Sequence, residues 1–267
     1  MRHGQTIAPL VALALLAAGP APAQTETDAA DAPKSDELKA AERYTDCLRL
    51  AAQTPEKARG RARTWEAQGG GDPARHCLAV ALLNDGQHTA AAKRLEELAR
   101  TLDTDSGPLM RAEAMAQAGQ AWLLAGELEK AETAHSKALN LNRDNAELWV
   151  DRAMVRFQRA NYAGAVQDLN RAQSKAPDNA MVYVYRASAL RHLDRLKAAL
   201  EDAETAVELA PRNPEALLEK GILHRLQGDK DAARQAWTRL LEVAPTSPAA
   251  EAARTNLTQM KSKTDEG

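Results

Sequence analysis

Two cysteines, six histidines and many carboxylates are the groups in this 267-residue sequence that could do chemistry. The histidines, His3, His76, His88, His135, His192 and His224, stand singly. None belongs to a His-Glu-x-x-His or Cys-x-x-Cys-His signature, the fixed spacings by which a chain presents metal ligands or attaches haem. No Gly-x-Ser-x-Gly turn is present to expose a nucleophile. Gly69-Gly70-Gly71 lacks the Lys-Ser/Thr continuation and the preceding strand of a phosphate loop, so it reads as a turn between helices. Carboxylates such as Glu127, Glu129 and Glu132 alternate with Lys130, the pattern of a solvated, salt-bridged helix face. No catalytic residue, metal set or cofactor site emerges from the sequence. Cys47 and Cys77 could form a disulfide, remain free and buried, or join His76 at a metal. The metal is disfavoured, because His76 points to another side of its helix than Cys77 and no Cys-x-x-Cys exists. Choosing between the other two requires the elements that carry them.

Those elements are helices. Aromatics make up 3% of the chain, Ala runs recur, and charges are interspersed with Leu, a composition for helices packed closely through small side chains. A net charge of -2 and a pI near 6.3 give no reason to expect nucleic acid or an anionic membrane as partner. The first 23 residues have the order of an export signal: Arg2 and His3, an apolar stretch from Ile7 to Ala18, then Gly19-Pro20-Ala21-Pro22-Ala23. Ala21 and Ala23 suit cleavage after Ala23, which predicts a periplasmic or secreted mature protein without a membrane-inserted segment. Residues 24–35 are polar, acidic and non-periodic, and are expected to be a disordered leader.

Beyond residue 107 the chain repeats itself. Ala131, Ala165, Ala199 and Ala233 are 34 residues apart, as are Gly119, Ala153, Ala187 and Gly221. Pro177, Pro211 and Pro245 keep the same period, each ending a helix by its missing amide hydrogen. Asn145, Asn179, Asn213 and Ser247 keep it too, placed to cap the helix that follows. The small-residue series is expected to face the Ala131 series within each helix pair, letting the two helices approach closely. Period, the segment GQAWLLAGELEKAETAHSKALNLN and the Ala-Pro-x-Asn/Ser endings resemble the tetratricopeptide repeat. The resemblance covers four copies, about 112–145, 146–179, 180–213 and 214–247, within a region 108–247. Departures include Arg143 for Pro, Asp194 for a turn glycine, and Arg156 and His224 where Trp122 and Leu190 supply apolar bulk. Residues 248–260 read as a capping helix and 261–267 as a disordered tail. Residues 36–107 read as degenerate helix pairs, about 36–52 with 55–68 and 73–84 with 87–102.

The resemblance implies an all-α fold: a right-handed α-solenoid of stacked antiparallel helix pairs with a C-terminal cap. Cys47 and Cys77 fall in the first helices of consecutive pairs, which are neighbours in such a stack, and an exported chain would oxidise them to a disulfide. By the family's register, a concave groove shows Glu113, Ala116, Gln120 and Leu123, then Glu147, Val150, Met154 and Phe157, then Met181, Val184, Ser188 and Arg191, then Glu215, Leu218, Ile222 and Arg225. Its middle, Val150, Met154, Phe157, Val184, Leu218 and Ile222, suits an apolar peptide or helix, with Glu147, Arg191 and Arg225 setting direction. The competing reading is that these side chains pack on one another. Ala, Val, Gln and Met hold most positions where some relatives grip a chaperone's carboxylate, so that clamp is not expected. The function expected is a non-enzymatic periplasmic adaptor for another cell-envelope protein. The alternative is a structural subunit that self-assembles through its convex face or ends.

Overall fold

The computed structural model describes residues 31–102 and 107–265, with side chains over 38–102 and 107–260. The expected signal peptide, its cleavage point and most of the leader lie outside the described residues. Among the described residues there are thirteen helices and no strand: α1 (Asp31–Gln53), α2 (Pro55–Ala67), α3 (Gly71–Asn84), α4 (His88–Thr101), α5 (Gly107–Leu124), α6 (Leu128–Leu141), α7 (Ala146–Gln158), α8 (Tyr162–Lys175), α9 (Ala180–His192), α10 (Leu196–Leu209), α11 (Pro214–Leu226), α12 (Lys230–Val243) and α13 (Pro248–Asp265). Two ends differ from the sequence reading. Helix α1 begins at Asp31, inside the stretch expected to be disordered, and α13 runs past Met260 to Asp265. No helix among the described residues is long and apolar enough to cross a membrane. The helix stack is built by the described residues from Arg43 onward.

Each repeat is punctuated by the side chains that the period marks. Asn145, Asn179 and Asn213 accept hydrogen bonds from the amides of Glu147, Met181 and Ala216 at the starts of α7, α9 and α11. Ser247 accepts from Ala250 at the start of α13. These caps satisfy amides that have no partner within the helix. Between the two helices of a pair the chain reverses through a left-handed residue: Gly126 (φ 78°), Ala160 (φ 58°), Asp194 (φ 58°) and Gly228 (φ 91°), again 34 apart. Glycine adopts this conformation freely, whereas the Cβ of Ala160 and Asp194 opposes it.

Successive helices pack in order from α2 to α13, and α5, α7, α9, α11 and α13 also pack on one another in a second row. The second helices of the pairs make no comparable contact with each other. First helices therefore sit on the inner side of the curve, as a stack of tetratricopeptide pairs requires. Ala131, Ala165, Ala199 and Ala233 are all fully buried between the helices of their pairs. The small residues opposite do not simply face that alanine series. A Cβ on Gly119 would lie 2.6 Å from His135, and one on Gly221 would strike Trp237. His135 and Trp237 stand one helical turn beyond Ala131 and Ala233, so both rungs lie on one helix face and periodicity alone could not separate them. Glycine thus makes room for a ring, and where Ala153 and Ala187 replace it the equivalent residues are the non-aromatic Leu169 and Ala203.

The irregular N-terminal pairs continue the stack. Cys47 and Cys77 are joined in a disulfide with Cα atoms 6.1 Å apart, tying α1 to α3. Both lie in a core cluster with Trp65, Leu78, Leu95 and Trp122. Gly69-Gly70-Gly71 forms the turn into α3.

Candidate partner-binding groove

Inner-row helices present one face of α5, α7, α9 and α11 to the interior of the curve. Six apolar side chains were expected at the middle of the groove, and they divide between open floor and core. Val150, Leu218 and Ile222 are half-buried, leaning on the core clusters beneath them while leaving part of their surface open. Met154 is half-buried and belongs to none of those clusters. Val184 is 6% exposed and packs with Tyr183, Ala206 and Ala216, so it is core rather than lining. Phe157 is drawn into an aromatic group, with ring centroids 5.1 Å from both Tyr162 and His192, which stack on each other at 4.4 Å. The usable apolar floor is thus Val150, Met154, Leu218 and Ile222.

Charged positions divide as well. Glu147 and Arg225 are exposed. Arg191 does not project into the groove as a free cation: its Nε donates to Glu219 at 2.6 Å, and it also donates to Ser188. Glu219 lies one residue past Leu218, in a column that also holds Gln117, Asp151 and Tyr185 by the 34-residue register. Sequence reasoning passed over this column. The signal available was that each member follows an assigned groove residue by one position on the same inner face.

That column carries a chain of polar contacts toward the N-terminal pairs. Tyr44 Oη is 2.7 Å from His76 Nδ1, His76 Nε2 is 2.8 Å from Gln117 Oε1, and Gln117 donates to Glu113 at 2.9 Å. Burial lowers the His76 pKa, against the opposing pull of Gln117 and Glu113. Burial raises the Tyr44 hydroxyl, with Glu113 adding to it. Further along, burial pushes the Asp151 carboxyl up to about 7, and the negative charges of Glu147 and Glu113 push the same way. Tyr185 is raised by burial and by Glu215 and Asp151. These couplings link Glu113, Glu147 and Asp151, and bring Asp151 and Glu215 to bear on Tyr185, across α5, α7, α9 and α11.

Away from the groove, buried carboxylates are bridged by arginine. Asp168 is held by Arg152 at 2.7 and 2.9 Å and by Arg156 at 3.0 Å, and one repeat later Asp202 is held by Arg186 at 2.6 and 2.7 Å. Arg156, which interrupts an apolar position, is thereby paired on both sides, since it also reaches Glu132 at 2.9 Å. Burial opposes ionisation of Glu132, but its bonds to Arg156 and Arg159 prevail and lower its pKa. Bidentate arginine pairs of this kind fix geometry between helices. Their 34-residue recurrence, Arg152 to Arg186 and Asp168 to Asp202, was present in the sequence and not used.

Comparison with known proteins agrees with this architecture. The sequence profile of the tetratricopeptide repeat matches residues 150–214 and 186–251. No curated protein matches the chain. Among solved structures, MamA 41-end from Desulfovibrio magneticus RS-1 superposes with a TM-score of 0.58 at 21% identity, covering 66% of this chain and 97% of that one. YrrB, described as a tetratricopeptide protein with an unusual peptide-binding site, gives 0.54 at 17% identity over 72% of this chain and 96% of that one. At such identities the likeness concerns the fold. Together with the 34-residue period, the left-handed turns and the two helix rows, the profile match shows tetratricopeptide repeats over residues 150–251, within a helical solenoid fold shared with these structures.

Proposed function

We propose that this chain is an exported, non-catalytic adaptor that holds a peptide or helix of a cell-envelope protein against the inner faces of α7 to α11. The observation that carries the reading is the strip Val150, Met154, Leu218 and Ile222, apolar and only half-buried on the inner row. Apolar surface kept partly open on a rigid concave face is stabilised by covering it, at about 25 cal/mol per Å². The peptide-binding site named for YrrB supports a groove of this kind as a working surface. The disulfide between Cys47 and Cys77 supports an oxidising compartment, in line with the N-terminal signal pattern.

Met154 is the cleanest probe, because it belongs to no core cluster. Met154→Glu should reduce recovery of envelope partners by about tenfold or more, the effect of burying an unpaired charge, while the helical circular dichroism signal stays at the wild-type level. Undiminished recovery would remove the groove from the account.

A further inference from the structure

The groove has a charge asymmetry that its fold does not require. Other carboxylates near the helix interfaces are matched: Asp85 with Arg59, Glu66 with Arg94, Glu132 with Arg156, Asp168 with Arg152, Asp202 with Arg186 and, on the groove face itself, Glu219 with Arg191. Glu147, Asp151 and Glu215 have no ion pair among the described residues, and Glu113 accepts only the amide of Gln117. Helix starts favour acidic residues, which accounts for Glu147 and Glu215 in the first turns of α7 and α11. It does not account for Asp151, in the middle of α7, nor for Glu113, well inside α5. Glu147 and Asp151 moreover stand four residues apart on one helix, a like-charge spacing that destabilises it. Of the two arginines assigned to this face, Arg191 is occupied by Glu219, and Arg225 stands exposed near the end of α11.

We propose, building on the groove reading above, that the segment held there is basic: a stretch of a partner protein that lays apolar side chains on Met154, Leu218 and Ile222 and sets Lys or Arg against Glu113, Glu147, Asp151 and Glu215. A cation placed among these carboxylates relieves their mutual repulsion and takes the role that arginine plays for the matched interface carboxylates named above. Charge matching of this kind governs partner choice and association rate, and it is salt-sensitive.

Panning a display library of random linear peptides against the immobilised full-length protein tests the proposal. The enriched peptides should carry Lys or Arg among apolar residues. A synthetic copy of the strongest should lose about tenfold in affinity on titration against a Glu147→Gln/Asp151→Asn/Glu215→Gln variant and should weaken as salt is raised. These replacements keep side-chain shape and remove repulsion, so the variant should fold at least as well as the parent. Neutral or acidic peptides whose binding is lost with Met154→Glu would overturn the basic partner and leave the groove standing. Peptides indifferent to Met154→Glu, or no enrichment over bare support, would overturn both.

Discussion

His135 is fully buried beneath Gly119 with both ring nitrogens lacking a hydrogen-bond partner. Burial, with Arg152 nearby, lowers its pKa from 6.5 to about 4. Between pH 4 and 6.5 the unfolded chain therefore binds more protons here than the folded one, so stability contributed by neutral His135 is lost as pH falls. Asp151 works in the other direction. Its pKa rises from 3.8 to about 7, the folded chain holds the extra proton, and stability is lost as pH rises through that range. Across the shared window the two slopes offset each other in the native protein. Asp151→Asn removes one of them, so the stability of the variant should climb with pH from about 4 to 6.5, by at most about 1.4 kcal/mol per pH unit. Denaturant titrations at several pH values check this, and a variant that keeps the parent's pH profile would contradict it. Neither residue announced itself in the sequence. His135 reads as one more scattered histidine until Gly119 is found above it, and the Asp151 shift comes first from burial among neighbouring helices, with Glu147 and Glu113 adding to it.

The helices themselves were legible, because capping and termination are local. Asn145, Asn179 and Asn213 cap where the period puts them, and Pro177, Pro211 and Pro245 lie just past the ends of α8, α10 and α12. The turn residue of the second repeat was not, since Ala160 gives no sign of a left-handed backbone while Asp194 stands out as a replaced glycine. Holding Ala160 at φ 58° costs on the order of 1 kcal/mol. Ala160→Gly should accordingly stabilise the protein by about 0.5–1 kcal/mol in chemical denaturation, an unusual sign for a glycine substitution. A loss of stability would show that the left-handed turn is not maintained. Cys47 and Cys77 became a pair only once the stack made their helices neighbours. The bond closes a loop of 30 residues, for which restriction of the unfolded chain stabilises by about 3–4 kcal/mol. Reducing it should lower the denaturation midpoint correspondingly, and an unchanged midpoint would mean that α1 to α3 does not unfold with the rest.

At the scale of the molecule, the tetratricopeptide fold was readable from periodicity because every repeat is bound by the same local rules. The groove was readable only in outline. Register located its face, but burial decided that Val184 belongs to the core, ring packing claimed Phe157, and ion pairing claimed Arg191. What remains is an apolar strip bordered by unpaired carboxylates on α5 to α11. A photo-crosslinking amino acid at Met154 tests this face most directly when compared with the same group at Arg171, an exposed position on the outer-row helix α8. In the cells that make the protein, adducts with partner protein should form from position 154 and not from position 171. Adducts from 171 alone would place the working surface on the outer row and contradict the account.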